Sequence, residues 1–338
     1  MSADEGQSRQ VLVIGGAGYV GNVLIRELLS RGYSVRCLDC LLYPTGATVA
    51  PLLDDPDFSF VLGDLRDPEA MKRGLEGSTD VVLLASLVGD PITKKFPELA
   101  RDVNDRGSKQ AIEMAAAHGV GRFVFTSTCS NYGVYTGADA ATEESPLDPR
   151  SVYAETKVEI ERFLLERGPT ADMASTILRL STAFGLSQRM RFDLTVSEFS
   201  RELAAGRELL VYDESTWRPY CHLLDISEAI IRVLEAPRQV VAGQVFNVGG
   251  DQQNYTKQMI VDEVRKVLPD AKVAYNAGGG DPRDYRVSFE KIKTALGYEP
   301  KQTIADSVRR VVQGVEAGLF DDVEARRDFY GNYAVRAL

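Results

Sequence analysis

The chain has 338 residues, with 39 Lys plus Arg against 49 Asp plus Glu and a formal net charge of −10. That length calls for a large α/β unit with a smaller appendage, and the acidic balance without a basic run excludes nucleic acid as the expected partner in favour of a small soluble substrate. The opening MSADEGQSRQ is polar and acidic, and no apolar run is long enough to cross a bilayer, so the expected location is cytoplasmic, with no membrane partner.

The first half alternates short β-rich runs with helical segments: QVLVIGG, GNVLIRELLSRG, YSVRCLD, FSFVLGD, PEAMKRGLEG, DVVLLAS, RDVNDRGSKQAIEMAAAHG and RFVFTS. Continuous apolar strands separated by helices predict a parallel sheet covered on both faces, a doubly wound, Rossmann-type α/β fold. After ASTILRLSTAFG the alternation loosens. Helical TVSEFSRELAAG, YTKQMIVDEVRKVL and IADSVRRVVQGVEAG are interspersed with strand-like ELLVY, QVFNVGG and AKVAY, and NAGGGDPRD is the most loop-like stretch. The expected division is residues 1–180 for the nucleotide, with segments near 222–250 returning to it, and 181–338 mainly as a smaller substrate-binding lobe.

Gly15, Gly18 and Gly21 follow the first strand and open a helix, which lets backbone N–H groups approach a pyrophosphate at the helix's positive end. Asp39, eighteen residues beyond Gly21 at the end of the second strand, is placed to accept the adenosine ribose hydroxyls. A carboxylate there repels a 2′-phosphate, so the expected cofactor is NAD rather than NADP, with Arg36 as the one nearby residue able to receive that phosphate. Asp64 and Leu65 in LGDLRD would reach the adenine from the third strand, and Ala85, Ser86 and Leu87 in LLASLVG would line the dinucleotide.

SVYAETK places Tyr153 and Lys157 at i and i+4 on one helical face, where an ammonium favours a phenolate that takes a proton from an alcohol. The cysteines 37, 40, 129 and 221 suggest no disulfide framework. Cys37 and Cys40 form a C-x-x-C without a second pair, the only histidines are His118 and His222, and no metal is expected.

Taken in order, these motifs resemble the extended short-chain dehydrogenase/reductase family, specifically its nucleotide-sugar epimerases and dehydratases, from about residue 10 to about residue 315. GGAGYVG looks like the family's cofactor fingerprint and brings in Tyr19 and Val20; VNDRGSKQAIEMA places Asn104 near the cofactor; FTSTCSNYG and YAETK match its serine/threonine strand end and its Y-x-x-x-K. The resemblance implies that Thr128, four residues before the Tyr132 of the YG pair, works with Tyr153. Lys157 would bind the nicotinamide ribose and lower the tyrosine pKa, while Ser127 points away by strand alternation.

The resemblance further implies Arg218 in RPYCH and Arg283 in GDPRDY as grips on a substrate diphosphate, the chemistry guanidinium forks suit. His222 is expected to play a structural part. The sequence also departs from the family pattern. Cys129 and Ser130 stand where dehydratases carry an acid, Thr182 stands for an asparagine at the substrate phosphates, Leu83 stands for a histidine, and LSQRMRFDL brings Arg189 and Arg191 toward the sugar or nucleotide.

The expectation is an NAD-dependent epimerase of a nucleotide-diphospho-sugar working through a transient 4-keto intermediate. The alternatives are a 4-ketoreductase, an atypical dehydratase or a non-catalytic NAD-binding sensor. The family resemblance implies a homodimer packed through helices 101–118 and 152–167, and the aromatic, charged tail DDVEARRDFYGNYAVRAL would cover a neighbour or the site.

Overall fold

The computed structural model describes residues 9–137, 139–168, 173–276, 278 and 283–334. The strands in chain order are β1 (Gln10–Ile14), β2 (Ser34–Asp39), β3 (Phe58–Leu62), β4 (Asp80–Leu83), β5 (Arg122–Thr128), β6 (Ala174–Leu180), β7 (Thr182–Phe184), β8 (Leu209–Tyr212), β9 (Trp217–His222), β10 (Gln244–Val248), β11 (Asn254–Thr256) and β12 (Val273–Asn276). Seven of them form one sheet in the order β10-β6-β5-β4-β1-β2-β3, every neighbouring pair parallel.

The apolar strand runs explain this layering. In β1, Val11 and Val13 face a core shared with the helices Tyr19–Ser30 and Leu223–Glu235, while Leu12 and Ile14 face a second core with Pro68–Leu75, Ser108–Ala117 and Val152–Arg167. Both faces of the sheet are thus covered, as a doubly wound Rossmann-type fold requires. The strand order reverses between β1 and β4, which opens a crevice at their carboxyl ends.

The smaller lobe holds a three-stranded sheet, β11-β9-β7, and a parallel pair, β12-β8. The helices Thr195–Ala204, Lys257–Val267 and Ile304–Glu316 pack there around Phe184, Phe199, Val261 and Val308. The long helical segment anticipated after residue 100 is interrupted: an α-helix at Pro97–Arg101 passes through a π-helical turn at Asp102–Gly107 into Ser108–Ala117.

In the tail, Val323, Phe329 and Tyr330 pack against Tyr19, Val23, Met190 and Phe192, so this segment covers its own chain's first helix. Residues 1–8 of the polar opening, 277 and 279–282 of the glycine-rich loop and 335–338 of the tail lie outside the described residues. Among the described residues no helix is long and apolar enough to cross a membrane.

Candidate functional site

A cavity of about 1000 Å³ occupies the crevice and runs from the β1–β2 loops to the smaller lobe. At one end lies the glycine loop. The helix Tyr19–Ser30 begins at Gly18 in extended backbone with no side-chain cap, leaving its first N–H groups for a ligand anion. Gly15 has φ +87°, and a Cβ there would sit 2.6 Å from the Ala85 nitrogen, so loop and β4 strand end touch because the side chain is absent. Tyr19 and Val20 line the wall beside it.

Asp39 also lines the cavity, and its carboxylate accepts N–H groups from Ala17 (3.0 Å) and Leu41 (2.8 Å). Burial raises its pKa, and these two amides oppose the rise. Arg36 points elsewhere: it donates to Ser59 Oγ and to the carbonyls of Arg73, Gly74 and Glu76, at the end of the helix Pro68–Leu75. A 2′-phosphate beside Asp39 would therefore meet a carboxylate and no Arg36. Asp64 and Leu65 lie on the lining, the Asp64 side chain held by Arg66 at 2.9 and 2.7 Å.

Ala85, Ser86 and Leu87 form the facing wall. Asn104, expected next to the cofactor, stands one layer behind it. Its side chain accepts the Leu87 N–H (2.7 Å) and donates to Leu87 O (3.1 Å) and Thr156 Oγ1 (3.3 Å), so it acts on the lining through the Leu87 backbone. The π-helical turn carries this asparagine inward.

Thr128, Tyr153 and Lys157 converge near the middle of the cavity. Ser151 caps the helix Val152–Arg167, accepting from the Ala154 N–H, so Tyr153 and Lys157 fall in its first two turns facing the β5 end. The Thr128 hydroxyl faces the Tyr153 phenol closely enough to oppose the rise in its pKa, and accepts the Ser130 N–H. Ser127 faces the opposite side of β5, bonded to Glu161, which also takes Asn131 Nδ2 (2.9 Å) and a buried ion pair from Arg179 (2.7 Å).

The charge at the phenol differs from expectation. Burial pushes Tyr153 up to about 12, and the cation that opposes this most is Arg191, whereas Lys157 is not among its principal influences. Lys157 is itself pushed down to about 7 by burial, with only Glu161 in opposition, and donates to the Thr126 carbonyl at 2.8 Å. A buried amine that has lost much of its charge stabilises a phenolate weakly.

Toward the smaller lobe, Thr182, Arg191, Arg218 and Arg283 all line the cavity. Arg191 pairs with Asp193 at 2.7 Å; Arg218 lies over the Tyr285 ring at 5.2 Å; Arg283 pairs with Asp90 at 2.9 Å and reaches Ser130 Oγ at 3.4 Å. His222 is a helix cap, its Nδ1 accepting the Leu224 N–H, and burial pushes it down to about 4. Cys37 is buried, Cys40 lies on the cavity wall, and both are free thiols. Among the described residues no cluster could hold a metal ion.

Several lining residues escaped sequence reasoning. Asp90 has one carboxylate oxygen on Arg283 and the other buried without a hydrogen-bond partner among the described residues, and its charge reaches Tyr153. Its signal was the acid in VGDP after the fourth strand. Tyr43, Tyr285 and Asn332 gave no local signal, because they reach the cavity from loops and from the far end of the chain.

A phenol beside a threonine hydroxyl, in a crevice with an uncapped helix start, can exchange a proton with an alcohol or ketone. The model of the NAD dependent epimerase/dehydratase family matches residues 11–249. The chain is 30% identical over 316 residues to a UDP-glucose 4-epimerase of Corynebacterium glutamicum, covering 87% of this chain and 92% of that one. It is also similar to the structure of a Thermus thermophilus UDP-glucose 4-epimerase in complex with NAD (25% identity, TM-score 0.79, 91% and 99% coverage). A dTDP-glucose 4,6-dehydratase from Streptomyces venezuelae with NAD bound matches at 28% identity and TM-score 0.81, with 96% and 100% coverage.

Proposed function

Because the chain belongs to the NAD dependent epimerase/dehydratase family, with NAD as its cofactor, we propose that it epimerises a nucleotide-diphospho-sugar through a transient 4-keto intermediate. The observation that carries this reading is the Thr128–Tyr153 hydroxyl pair, set beside Lys157 in the cavity that the glycine loop and Asp39 also line.

On this reading the adenosine end lies along Asp39, Asp64 and Leu65, the pyrophosphate at Gly15, Gly18, Tyr19 and Val20, and the nicotinamide end against Ala85, Ser86, Leu87, Tyr153 and Lys157. Residues 1–180, with the returning 222–250 segment, serve the cofactor, and 181–338 mainly the sugar nucleotide. NAD supplies a ring that accepts a hydride from the alcohol carbon and returns it to the ketone.

Tyr153 takes the hydroxyl proton as the hydride leaves that carbon and gives it back as the hydride returns to the other face, with Thr128 holding the same oxygen. A phenol near 12 needs added positive charge to do this at neutral pH; Arg191 is the largest such contribution from the protein's own side chains. Arg218 and Arg283 grip the diphosphate, Thr182 stands at the same phosphates, and Arg191 meets the sugar or nucleotide.

Cys129 supports an epimerase over a dehydratase: its thiol is buried against the Arg179 carbonyl, and burial holds its proton on. One observation favours the dehydratase as a second reading, since Asp90 supplies a carboxylate within electrostatic reach of Tyr153. A homodimer through the helical segments 101–118 and 152–167 is part of the proposal, and Leu165, 45% exposed on the second of them, suits such a contact. Turnover by Tyr153→Phe tests the mechanism: loss of roughly 10²- to 10⁴-fold with NAD still bound is expected, and unchanged turnover would overturn it.

A further inference from the structure

Arg189 is 2% exposed and lines the same cavity. Its acceptors are neutral: Nη2 donates to the Gly331 carbonyl (3.3 Å) and to Asn332 Oδ1 (2.6 Å). Its Nε is buried with no hydrogen-bond partner among the described residues. Neighbouring Arg191 takes the carboxylate of Asp193 in a bidentate pair, at 3.0 and 2.7 Å. A buried guanidinium served by neutral acceptors is costly unless an anion joins it. Burial and the nearby Arg191 accordingly push Arg189 down to about 10.

The location indicates which anion. The Arg189 guanidinium lies 4.7 Å over the ring of Tyr43, in the loop that leaves Asp39. Tyr43 Oη and Ser86 Oγ are also buried without partners among the described residues, on the nucleotide side of the cavity. The loop carrying Arg189 is tied to the first turn of the glycine-loop helix: Tyr19 Oη donates to the Gly185 carbonyl (2.6 Å) and Ser187 Oγ to the Tyr19 carbonyl (2.9 Å). Arg218 and Arg283 stand elsewhere, against Tyr285 and Ser130.

The tail fixes this arrangement. Asn332 Nδ2 donates to the Val88 carbonyl (2.9 Å) and its backbone N–H to Asp193 (3.2 Å), while the Phe192 N–H donates to the Tyr330 carbonyl (2.7 Å). The C-terminal segment therefore joins the loop after β4 to the arginine loop.

We propose that Arg189, held by Gly331 and Asn332, clamps the pyrophosphate of the dinucleotide against the Gly15–Gly18 loop, making the C-terminal segment a latch that retains the cofactor. This rests on the NAD reading above. A guanidinium fork over a diphosphate adds charge-assisted hydrogen bonds that the glycine loop's neutral amides do not supply. An enzyme that recycles its dinucleotide gains from such retention.

The test uses Arg189→Met, Arg189→Lys and Asn332→Ala in the full chain. NAD dissociation is followed by chase, UDP and dTDP binding are measured separately, and melting is recorded without NAD. Arg189→Met should speed NAD release roughly 10- to 100-fold, the range of one or two charge-assisted hydrogen bonds, with Arg189→Lys partly restoring retention and Asn332→Ala intermediate. UDP and dTDP affinity should not change, and the NAD-free melting temperature should hold or rise, since a buried charge is gone.

Unchanged NAD release overturns the clamp. So does a loss of UDP or dTDP affinity in its place, which would assign Arg189 to the substrate's diphosphate, or a fall in NAD-free melting temperature that accounts for the weaker binding. A wild-type protein with no affinity for NAD would instead overturn the functional reading itself.

Discussion

Lys157 and Tyr153 face one cavity from one helix, yet the ammonium stands 5.8 Å from the centre of the tyrosine ring and donates to the Thr126 carbonyl instead. Proton transfer by Tyr153 therefore depends on charge from beyond that lysine. In NAD-stripped protein the Tyr153 phenol should stay protonated up to about pH 12, and saturation with NAD should lower that value, because the oxidised nicotinamide ring is cationic. Difference absorbance of the phenolate between wild type and Tyr153→Phe checks both. A phenolate at neutral pH without NAD would contradict this account.

Lys157 also carries a stability signature. Its folded value of about 7 lies below the ordinary lysine value of 10.5, so between these two pH values the unfolded chain binds more protons than the folded one. Stability from this group therefore rises with pH across that window, and is lost as pH falls toward 7. Lys157→Met removes the dependence. Its melting temperature relative to wild type should be most favourable at pH 6 and decline toward pH 10; a difference independent of pH would show that the lysine is not buried as described.

Asp39 should decide between dinucleotides. Asp39→Asn keeps an acceptor for one of the Ala17 and Leu41 amides but removes the charge. NAD affinity should fall by about tenfold, the scale of one hydrogen bond to a charged group, while discrimination against NADP narrows. Calorimetry with both dinucleotides measures this. Because Arg36 is occupied at the end of the helix Pro68–Leu75, Arg36→Ala should leave NADP binding unchanged.

Asp90 separates the two readings of the chemistry. If it chiefly orients Arg283, Asp90→Asn should raise KM for a nucleotide sugar and leave kcat near wild type. A loss of kcat by roughly 10²-fold or more, with KM unchanged, would mark it as a general acid or base and favour water elimination.

The sheet was legible because strands buried on both faces read as unbroken apolar runs, as in QVLVI and DVVLL, and because glycine spacing after β1 has a steric reason visible at Gly15. Ser127 and Thr128 could be assigned to opposite sides by strand alternation alone. Asn104 could not be placed: a π-helical turn shifts side-chain phase, and the asparagine ends behind the wall rather than on it. The charge balance at Tyr153 was likewise illegible, since spacing shows that Lys157 is near but not that burial discharges it. The return of Asn332 to Val88 joins residues 244 positions apart, a contact no local pattern announces.

The most direct measurement is proton NMR of UDP-glucose and dTDP-glucose incubated in D₂O with the protein as purified and no added dinucleotide. The account predicts an inverted sugar whose carbon-bound hydrogen is retained at the inverted centre, because the hydride returns to the carbon it left. Formation of a 6-deoxy-4-keto sugar, or inversion of neither substrate by a protein that instead reduces a nucleotide 4-keto sugar at the expense of an added reduced dinucleotide, would contradict it.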